Sequence, residues 1–284
     1  MSRAATAALP PSPGKKAGDE SFPVASLLLP AAVRRQVMAF YGFARAADDV
    51  ADAPDLSPEA KLARLDAFEE ALRGRPSGPG AETAAAFRRA VDADALLVDH
   101  AAQLLQAFRR DAVIDHCRDW ADLMTYCRFS AAPVGRFLLD LHGEAPETFA
   151  AGDALCAAHQ ILNHLQDCGQ DFRALGRVYL PRDWLLAAGI TNEVFAGDAS
   201  PPELRLVVHM ILDAVDGLIE LARPLPSLIR DRRLRLEAAA TVAVAERLSA
   251  LLRVEDPLVK PVRLSPLRYL GAFATGVGRA LRTA

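Results

Sequence analysis

Cysteine and strand-forming patterns are the two scarcest features of this sequence. Its 284 residues include four cysteines, at positions 117, 127, 156 and 168, and no two have the Cys-x-x-Cys spacing of a zinc or redox motif. β-Branched residues are sparse, and apolar and polar residues rarely alternate for long, which argues against an all-β fold. We therefore predict a chain that is folded by its apolar core, without disulfides, in a reducing cytoplasm.

Long apolar runs and an excess of positive charge are also missing. Nowhere do about 18 consecutive apolar residues occur without a charge, so no membrane-spanning helix is predicted. Lys and Arg total 33 against 36 Asp and Glu, which leaves no overall positive field to collect a nucleic acid. Hydrophobic residues nevertheless make up 51% of the chain. That share is enough to fill a large core and excludes a mainly disordered protein.

The first 20 residues differ from the rest in composition. Small residues are interrupted by Pro10, Pro11 and Pro13, and Lys15 and Lys16 follow them instead of preceding an apolar run, as they would in a secretory leader. We predict a disordered tail over residues 1–20 and one domain over residues 21–284.

Alanine, leucine and arginine dominate the remaining chain, and helical periodicity runs between proline and glycine breakers. The fold class predicted from this pattern is all-α. The predicted helices run over residues 30–52, 58–73, 81–110, 119–142, 146–172, 201–221, 232–253 and 266–281.

The last of these segments has two interpretations. Leu267, Leu270, Phe273, Val277 and Leu281 recur at helical spacing, so the helix can pack on the rest of the bundle. Flanking arginines leave open a peripheral contact with a lipid surface, which would place the protein in the cytoplasm at the inner membrane.

The first candidate site is a polar stripe on an apolar helix. Residues 37–51 read VMAFYGFARAADDVA, and Tyr41, Arg45, Asp48 and Asp52 fall at i, i+4, i+7 and i+11. A helix that is apolar on most sides is usually buried. Charges on it are costly unless they are paired or bind a ligand.

The same construction returns more than a hundred residues later. In residues 159–171, HQILNHLQDCGQD, the stripe consists of Gln160, Asn163, Asp167 and Asp171 at i, i+3, i+7 and i+11. One such stripe is usually a solvated helix face or half of an ion pair. Two on apolar helices indicate an oxygen-rich site for Mg²⁺, which prefers a few carboxylates together with phosphate oxygens and water. The chemistry that this predicts is ionisation of a diphosphate ester above an apolar pocket.

These motifs resemble those of a known family. The segments FYGFARAADDVAD and NHLQDCGQDFRALGRVYLP are similar to the two aspartate-rich motifs of the squalene/phytoene synthase family, and SFPVAS, YCRFSAAPVG and RVYLP extend the match. The resemblance implies a single-domain isoprenoid (prenyl) synthase helical bundle with a central active-site cavity.

The resemblance also implies roles for individual residues. Asp48, Asp52, Asn163, Asp167 and Asp171 match metal-diphosphate ligands. The residues that match diphosphate contacts are Arg45, Asn163, Arg177 and Tyr179. Those that match positions around the reacting carbons are Arg45, Tyr41, Tyr126 and Gln160. His164, beside Asn163, is a candidate for approaching the cation or positioning water, or else an ordinary core histidine.

Within the family, the sequence looks most like the hydroxysqualene synthase branch of bacterial hopanoid pathways. That branch implies presqualene diphosphate as substrate, water capture of the rearranged cation, and Mg²⁺ in unknown number. NADPH is not expected, which agrees with the lack of a Gly-rich dinucleotide loop. The substrate would be handed over by a presqualene diphosphate synthase and the product passed to a hydroxysqualene reductase.

Two alternatives stay open. The first is a head-to-head condensing synthase that makes presqualene diphosphate or phytoene from two allylic diphosphates. Gln166 argues against it, because condensing members commonly have Arg before the second-motif aspartate. The second alternative is a non-catalytic helical scaffold or assembly factor that keeps the fold.

Overall fold

A computed structural model describes residues 30–282 of the chain. The predicted tail, residues 1–20, and the motif SFPVAS lie outside this range, so both stay predictions. The described part confirms the all-α class, since it consists of helices joined by short loops and a single pair of very short strands. In chain order the helices are α1 Ala31–Asp52, α2 Pro58–Leu72, α3 Glu82–Ala90, α4 Ala95–Asp111, α5 Trp120–Ser130, α6 Ala132–Leu141, α7 Phe149–Leu175, α8 Arg182–Ala187, α9 Pro202–Ala222, α10 Leu225–Leu228, α11 Arg232–Val254 and α12 Pro266–Arg282.

Two predicted helices are each divided in the structure. The segment predicted over residues 81–110 breaks between α3 and α4, where Asp92 and Ala93 adopt positive φ angles. Asp94 then begins α4 by accepting hydrogen bonds from the backbone N–H groups of Leu96 and Leu97, as an N-cap does. The segment predicted over residues 119–142 breaks at Ala131, and Pro133 lies in the first turn of α6, where its missing N–H costs nothing.

The two strands, which periodicity did not predict, are β1 (His116–Cys117) and β2 (Val178–Pro181). They pair in parallel, with His116 opposite Val178. β2 follows the C-terminus of α7, which ends at Gly176 with φ of 69°, a conformation that glycine adopts without steric cost. This short pairing brings the end of α7 beside the segment between α4 and α5.

The core consists of two apolar clusters. The larger is built from α5, α7, α9 and α11, and includes Ile161, Leu162 and Ile211. The smaller joins α1–α4 to α6 and contains a group of phenylalanine rings, of which Phe40 and Phe137 stack at 4.3 Å. α1 and α7, which carry the two predicted stripes, therefore belong to different clusters.

The predicted last helix is confirmed as α12, and it packs closely on α11. A Cβ placed at Gly276 would overlap the backbone carbonyl group of Ala239. Nothing lies within 4 Å of a Cβ placed at Gly278 on the same helix. Replacing Gly276 therefore tests the close contact between α12 and α11, whereas replacing Gly278 tests only the helix propensity of glycine.

We predict that Gly276→Ala destabilises the protein, because the new methyl group pushes α12 away from α11. Overpacking of this kind costs about 1–3 kcal/mol, or a fall in Tm of roughly 2–8 °C, and amide exchange in α12 should accelerate. Gly278→Ala is the matched control and should leave Tm unchanged or slightly raised, because alanine favours the helix. Equal Tm values for the two variants would contradict the packing described.

Candidate active site

A cavity of about 350 Å³ lies between α1, α4, α5, α6, α7, α10 and α11. Most of its wall is aliphatic or aromatic, including Phe40, Leu104 and Phe137. The cavity brings together six of the residues predicted from the sequence, on three helices. They are Tyr41, Arg45 and Asp48 from α1, Tyr126 from α5, and Gln160 and Asn163 from α7.

Arg45 forms ion pairs with two aspartates near the C-terminus of α1. Its Nη1 lies 3.0 Å from Asp48 Oδ2, and its Nη2 lies 2.6 Å from Asp49 Oδ1. Arg45 Nε is buried and has no hydrogen-bond partner among the described residues. A donor therefore remains at the cavity wall for an anionic group.

Asp48 occupies a site that disfavours its negative charge. Burial, followed by the charge of Asp52, raises the pKa of Asp48 to about 7, against the opposing charge of Arg45. Its side chain is 35% exposed, but it lies in the concave wall of the cavity, where the surrounding protein limits hydration. Added positive charge beside Asp48 would favour its ionised form.

Arg177 precedes β2 and is almost fully buried, so its guanidinium group is used within the protein. Nη1 donates to Asp52 Oδ1 at 2.5 Å and contacts the hydroxyl group of Tyr179 at 3.4 Å. Nη2 donates to the carbonyl oxygens of Ala51 and Asp111, at 3.1 and 2.9 Å. This one side chain ties together the C-termini of α1 and α4 and the start of β2. The diphosphate contact predicted for Arg177 stays a prediction.

Asp111 is a residue of this region that the sequence analysis missed. It is 8% exposed, and its Oδ2 accepts a hydrogen bond of 2.8 Å from the hydroxyl group of Tyr126. Burial raises the pKa of Asp111 to about 6, although Arg177 and Tyr126 oppose the shift. In the sequence, Asp111 follows Arg109 and Arg110 at a helix end, and this pattern is typical of a solvated surface.

Three of the predicted residues, Tyr126, His164 and Tyr179, stack beside the cavity. The rings of His164 and Tyr179 lie 4.1 Å apart and nearly parallel, and those of Tyr126 and Tyr179 are 5.2 Å apart. The amide nitrogen of Gln160 lies 3.2 Å from His164 Nε2, so this ring nitrogen acts as the acceptor. Tyr126 and Gln160 line the cavity, while His164 and Tyr179 support them from the side.

The remaining acidic residues lie farther along the stripe of α7. Asp167 and Asp171 are partly exposed and follow cavity-lining Asn163 by one and two turns. Gln166 points elsewhere, since its amide nitrogen donates to the carbonyl oxygen of Val262 at 2.5 Å. Within residues 30–282, no three His, Cys, Asp or Glu side chains converge closely enough to form a metal cage by themselves.

The sequence of this chain is similar to those of known isoprenoid synthases. A sequence profile of the squalene/phytoene synthase family matches residues 15–269. The hydroxysqualene synthase of Rhodopseudomonas palustris is 43% identical over 94% of this chain and 92% of its own length. That of Zymomonas mobilis is 40% identical over 94% and 90%. The phytoene synthase of Rhodobacter capsulatus is 34% identical over 72% of this chain and 60% of its own length.

A solved structure supports the same relationship. The crystal structure of squalene synthase HpnC from Alicyclobacillus acidocaldarius superimposes with a TM-score of 0.69 at 31% identity. The match covers 81% of this chain and 86% of that one.

We predict that Arg177→Met lowers the free energy of unfolding by about 2–4 kcal/mol, because it leaves Asp52 and two carbonyl oxygens without their donor. Because Asp52 is partly exposed, the loss in free energy of unfolding should lie toward the lower end of this range. Arg118, whose side chain is 77% exposed and pairs with Asp119, is the control, and Arg118→Met should leave the free energy of unfolding nearly unchanged. Urea unfolding of both variants measures the difference. Comparable stability would contradict the bridging role of Arg177.

Proposed function

The chain belongs to the squalene/phytoene synthase family, and from that premise we propose that it is a hydroxysqualene synthase. The observation that carries the proposal is its identity of 40–43% to two proteins of that name over 94% of the chain. The substrate would be presqualene diphosphate. The products would be hydroxysqualene and diphosphate.

The first chemical step is heterolytic cleavage of the C–O bond to the diphosphate, whose oxygen keeps the electron pair. Arg45 lines the cavity with a buried Nε–H that has no partner among the described residues, so it can donate to a diphosphate oxygen. A fixed donor at the position where negative charge develops lowers the barrier to ionisation. Tyr179 and Arg177 would support this end of the site from behind.

A divalent cation fits the acidic end of the cavity. The donors are carboxylate and amide oxygens, as Mg²⁺ prefers, and the raised pKa of Asp48 identifies a position where added positive charge is favourable. Asp48, Asp52, Asn163, Asp167 and Asp171 would hold Mg²⁺, in a number that stays open, together with the diphosphate oxygens. When bound, Mg²⁺ neutralises charge on the leaving diphosphate.

The rest of the cavity suits a carbocation. Apolar side chains such as Phe40, Leu104 and Phe137 exclude bulk water, so the cation survives long enough to rearrange. Tyr41 and Tyr126 line the same cavity, and the face of an aromatic ring can stabilise positive charge. Capture by one admitted water then forms the alcohol and releases a proton.

The condensing synthase is the nearest rival. Gln166 stands where condensing members commonly have Arg, and its amide is bonded to the backbone of Val262. This position therefore supplies no positive charge for a second diphosphate. The lower identity to the phytoene synthase also favours the water-capturing branch, for which no NADPH is required.

We further propose that the protein works at the inner surface of the membrane in the cytoplasm. α12 exposes Leu267 and Leu270, which are 83% and 62% exposed, next to exposed Arg263 and Arg268. Such a face can rest on an anionic lipid surface, close to the enzymes that supply presqualene diphosphate and reduce hydroxysqualene. No helix within residues 30–282 is both long and apolar enough to cross a bilayer.

The reaction is tested by incubating purified protein and Mg²⁺ separately with presqualene diphosphate and with farnesyl diphosphate. We expect hydroxysqualene from presqualene diphosphate and no consumption of farnesyl diphosphate, as measured by mass spectrometry. Conversion of farnesyl diphosphate would instead identify a condensing synthase.

We predict that Asp48→Asn and Asp167→Asn each lower turnover at least ~100-fold while the folded state persists, because each removes a charged ligand from the diphosphate end. Excess EDTA should also abolish turnover. Asp66→Asn is the control, because Asp66 is an exposed partner of Arg109 on the outer surface. Retained turnover in either site variant or in EDTA would refute the metal role. Loss of activity with an unchanged circular dichroism spectrum would exclude a scaffold.

A further inference from the structure

Glu237 is a buried carboxyl group in the apolar part of the cavity, where no site was predicted. It lies in the second turn of α11, is 9% exposed, and lines the cavity next to Leu234, Ala238 and Ile229. Its Oε2 is buried and has no hydrogen-bond partner within the described range. A carboxyl group in such a place destabilises the fold unless something else binds it.

A second buried glutamate shows how a structural carboxylate is satisfied in the same protein. Glu144 is 6% exposed, and its two oxygens accept hydrogen bonds from the backbone N–H groups of Arg230 and Asp231 at 2.8 and 2.7 Å. Those bonds join the end of α6 to the start of α11. Glu237 makes no comparable bond, so its carboxyl group is not explained by a role in the fold.

Among the described residues that line the apolar part of the cavity, Glu237 is the one carboxylic acid. His159 on α7 donates from Nε2 to the carbonyl oxygen of Thr241 at 3.0 Å, and burial lowers the pKa of His159, which disfavours a charged ring. From α12, Tyr269 faces Glu237 as a weak acid. α10 contributes apolar Leu225, and Asp216 of α9 is bonded to Ser249 farther along α11.

We propose that Glu237 is a catalytic residue that binds the capturing water in the apolar part of the cavity and accepts its proton. The inference rests on the proposed function. The water oxygen forms the new C–O bond to the cation. One O–H bond breaks with its electron pair left on oxygen, and the proton passes to a Glu237 oxygen, from which it returns to solvent when the product leaves.

The same carboxylate also places negative charge beside the rearranged cation. In an apolar wall this interaction is stronger than it would be in water. Burial raises the pKa of Glu237 to about 7, so near neutral pH the group can both accept and release a proton.

The test is the product ratio of Glu237→Gln with presqualene diphosphate. Glutamine can still bind water but cannot take its proton. The cation should then lose a proton from a neighbouring carbon to the diphosphate, which gives a hydrocarbon with one further double bond. We expect the ratio of alcohol to hydrocarbon to fall at least ~10-fold, with diphosphate release largely retained because ionisation precedes this step.

Glu246→Gln is the matched control on the same helix, because Glu246 pairs with Arg223 and Arg279 away from the cavity. It should leave the product ratio unchanged. In the wild-type protein, the alcohol fraction should fall as pH is lowered through about 7, since the protonated carboxyl group cannot accept the proton. The fraction in Glu237→Gln should not vary across this range.

Stability provides a second measurement. Because the folded state raises the pKa of Glu237 above its unfolded value, ionising it costs stability as pH rises through about 7. Glu237→Leu should therefore raise Tm above that pH by roughly 3 °C or more, while the alcohol is lost. A lower Tm would mark Glu237 as a structural residue and overturn the proposal.

The remaining outcomes separate this inference from the proposed function. An unchanged alcohol ratio in Glu237→Gln, or loss of diphosphate release together with the alcohol, would overturn the role of Glu237 alone. Absence of alcohol from the wild-type protein would overturn the proposed function itself.

Discussion

The buried guanidinium group of Arg177 is the constraint on which the geometry of the site depends. It bonds to the side chain of Asp52 and to the carbonyl oxygens of Ala51 and Asp111, which lie on segments distant in sequence. Helix C-termini leave carbonyl oxygens unsatisfied, and a cation placed there satisfies them with charge-assisted bonds. The polar stripe of α1 is thereby fixed relative to β2, although α1 and α7 pack in separate apolar clusters.

Three carboxyl groups around the site have raised pKa values for a shared reason. Asp48, Asp111 and Glu237 lie on three different helices, and in each case burial is the largest cause of the shift. They differ in which groups offset the cost of burying the charge. Arg45 does so for Asp48, and Arg177 and Tyr126 do so for Asp111. No described group does so for Glu237. A cavity that needs an apolar wall for a carbocation and acids for its chemistry must accept this cost in stability.

Periodicity was sufficient to predict the helical class and the two stripes, because stripes of this kind depend only on local spacing. It could not predict the breaks at Asp92 and Ala131. The first depends on the positive φ angles of Asp92 and Ala93, and the second on Pro133 in the first turn of α6. The β1–β2 pair was also missed, since strands of two and four residues are too short to show a period. Its pairing arises from contacts between segments distant in sequence.

Asp111 and Glu237 were missed for a related reason. Each lies near arginines, in a pattern typical of a solvated helix end, whereas in the fold both side chains are buried. A signal existed for Glu237, because Leu234, Glu237, Ala238 and Thr241 fall at i, i+3, i+4 and i+7 on one face of α11. An acid on an otherwise apolar or small-residue face is the feature that first identified α1 and α7.

Turnover of presqualene diphosphate in water enriched with ¹⁸O tests the central claim most directly. If the cavity ionises the C–O bond and admits water to the rearranged cation, the alcohol oxygen carries the label in proportion to the enrichment of the solvent. An unlabelled alcohol would mean that cleavage occurred at phosphorus, and an unlabelled hydrocarbon would mean that no water reached the cation. Either result would contradict the account.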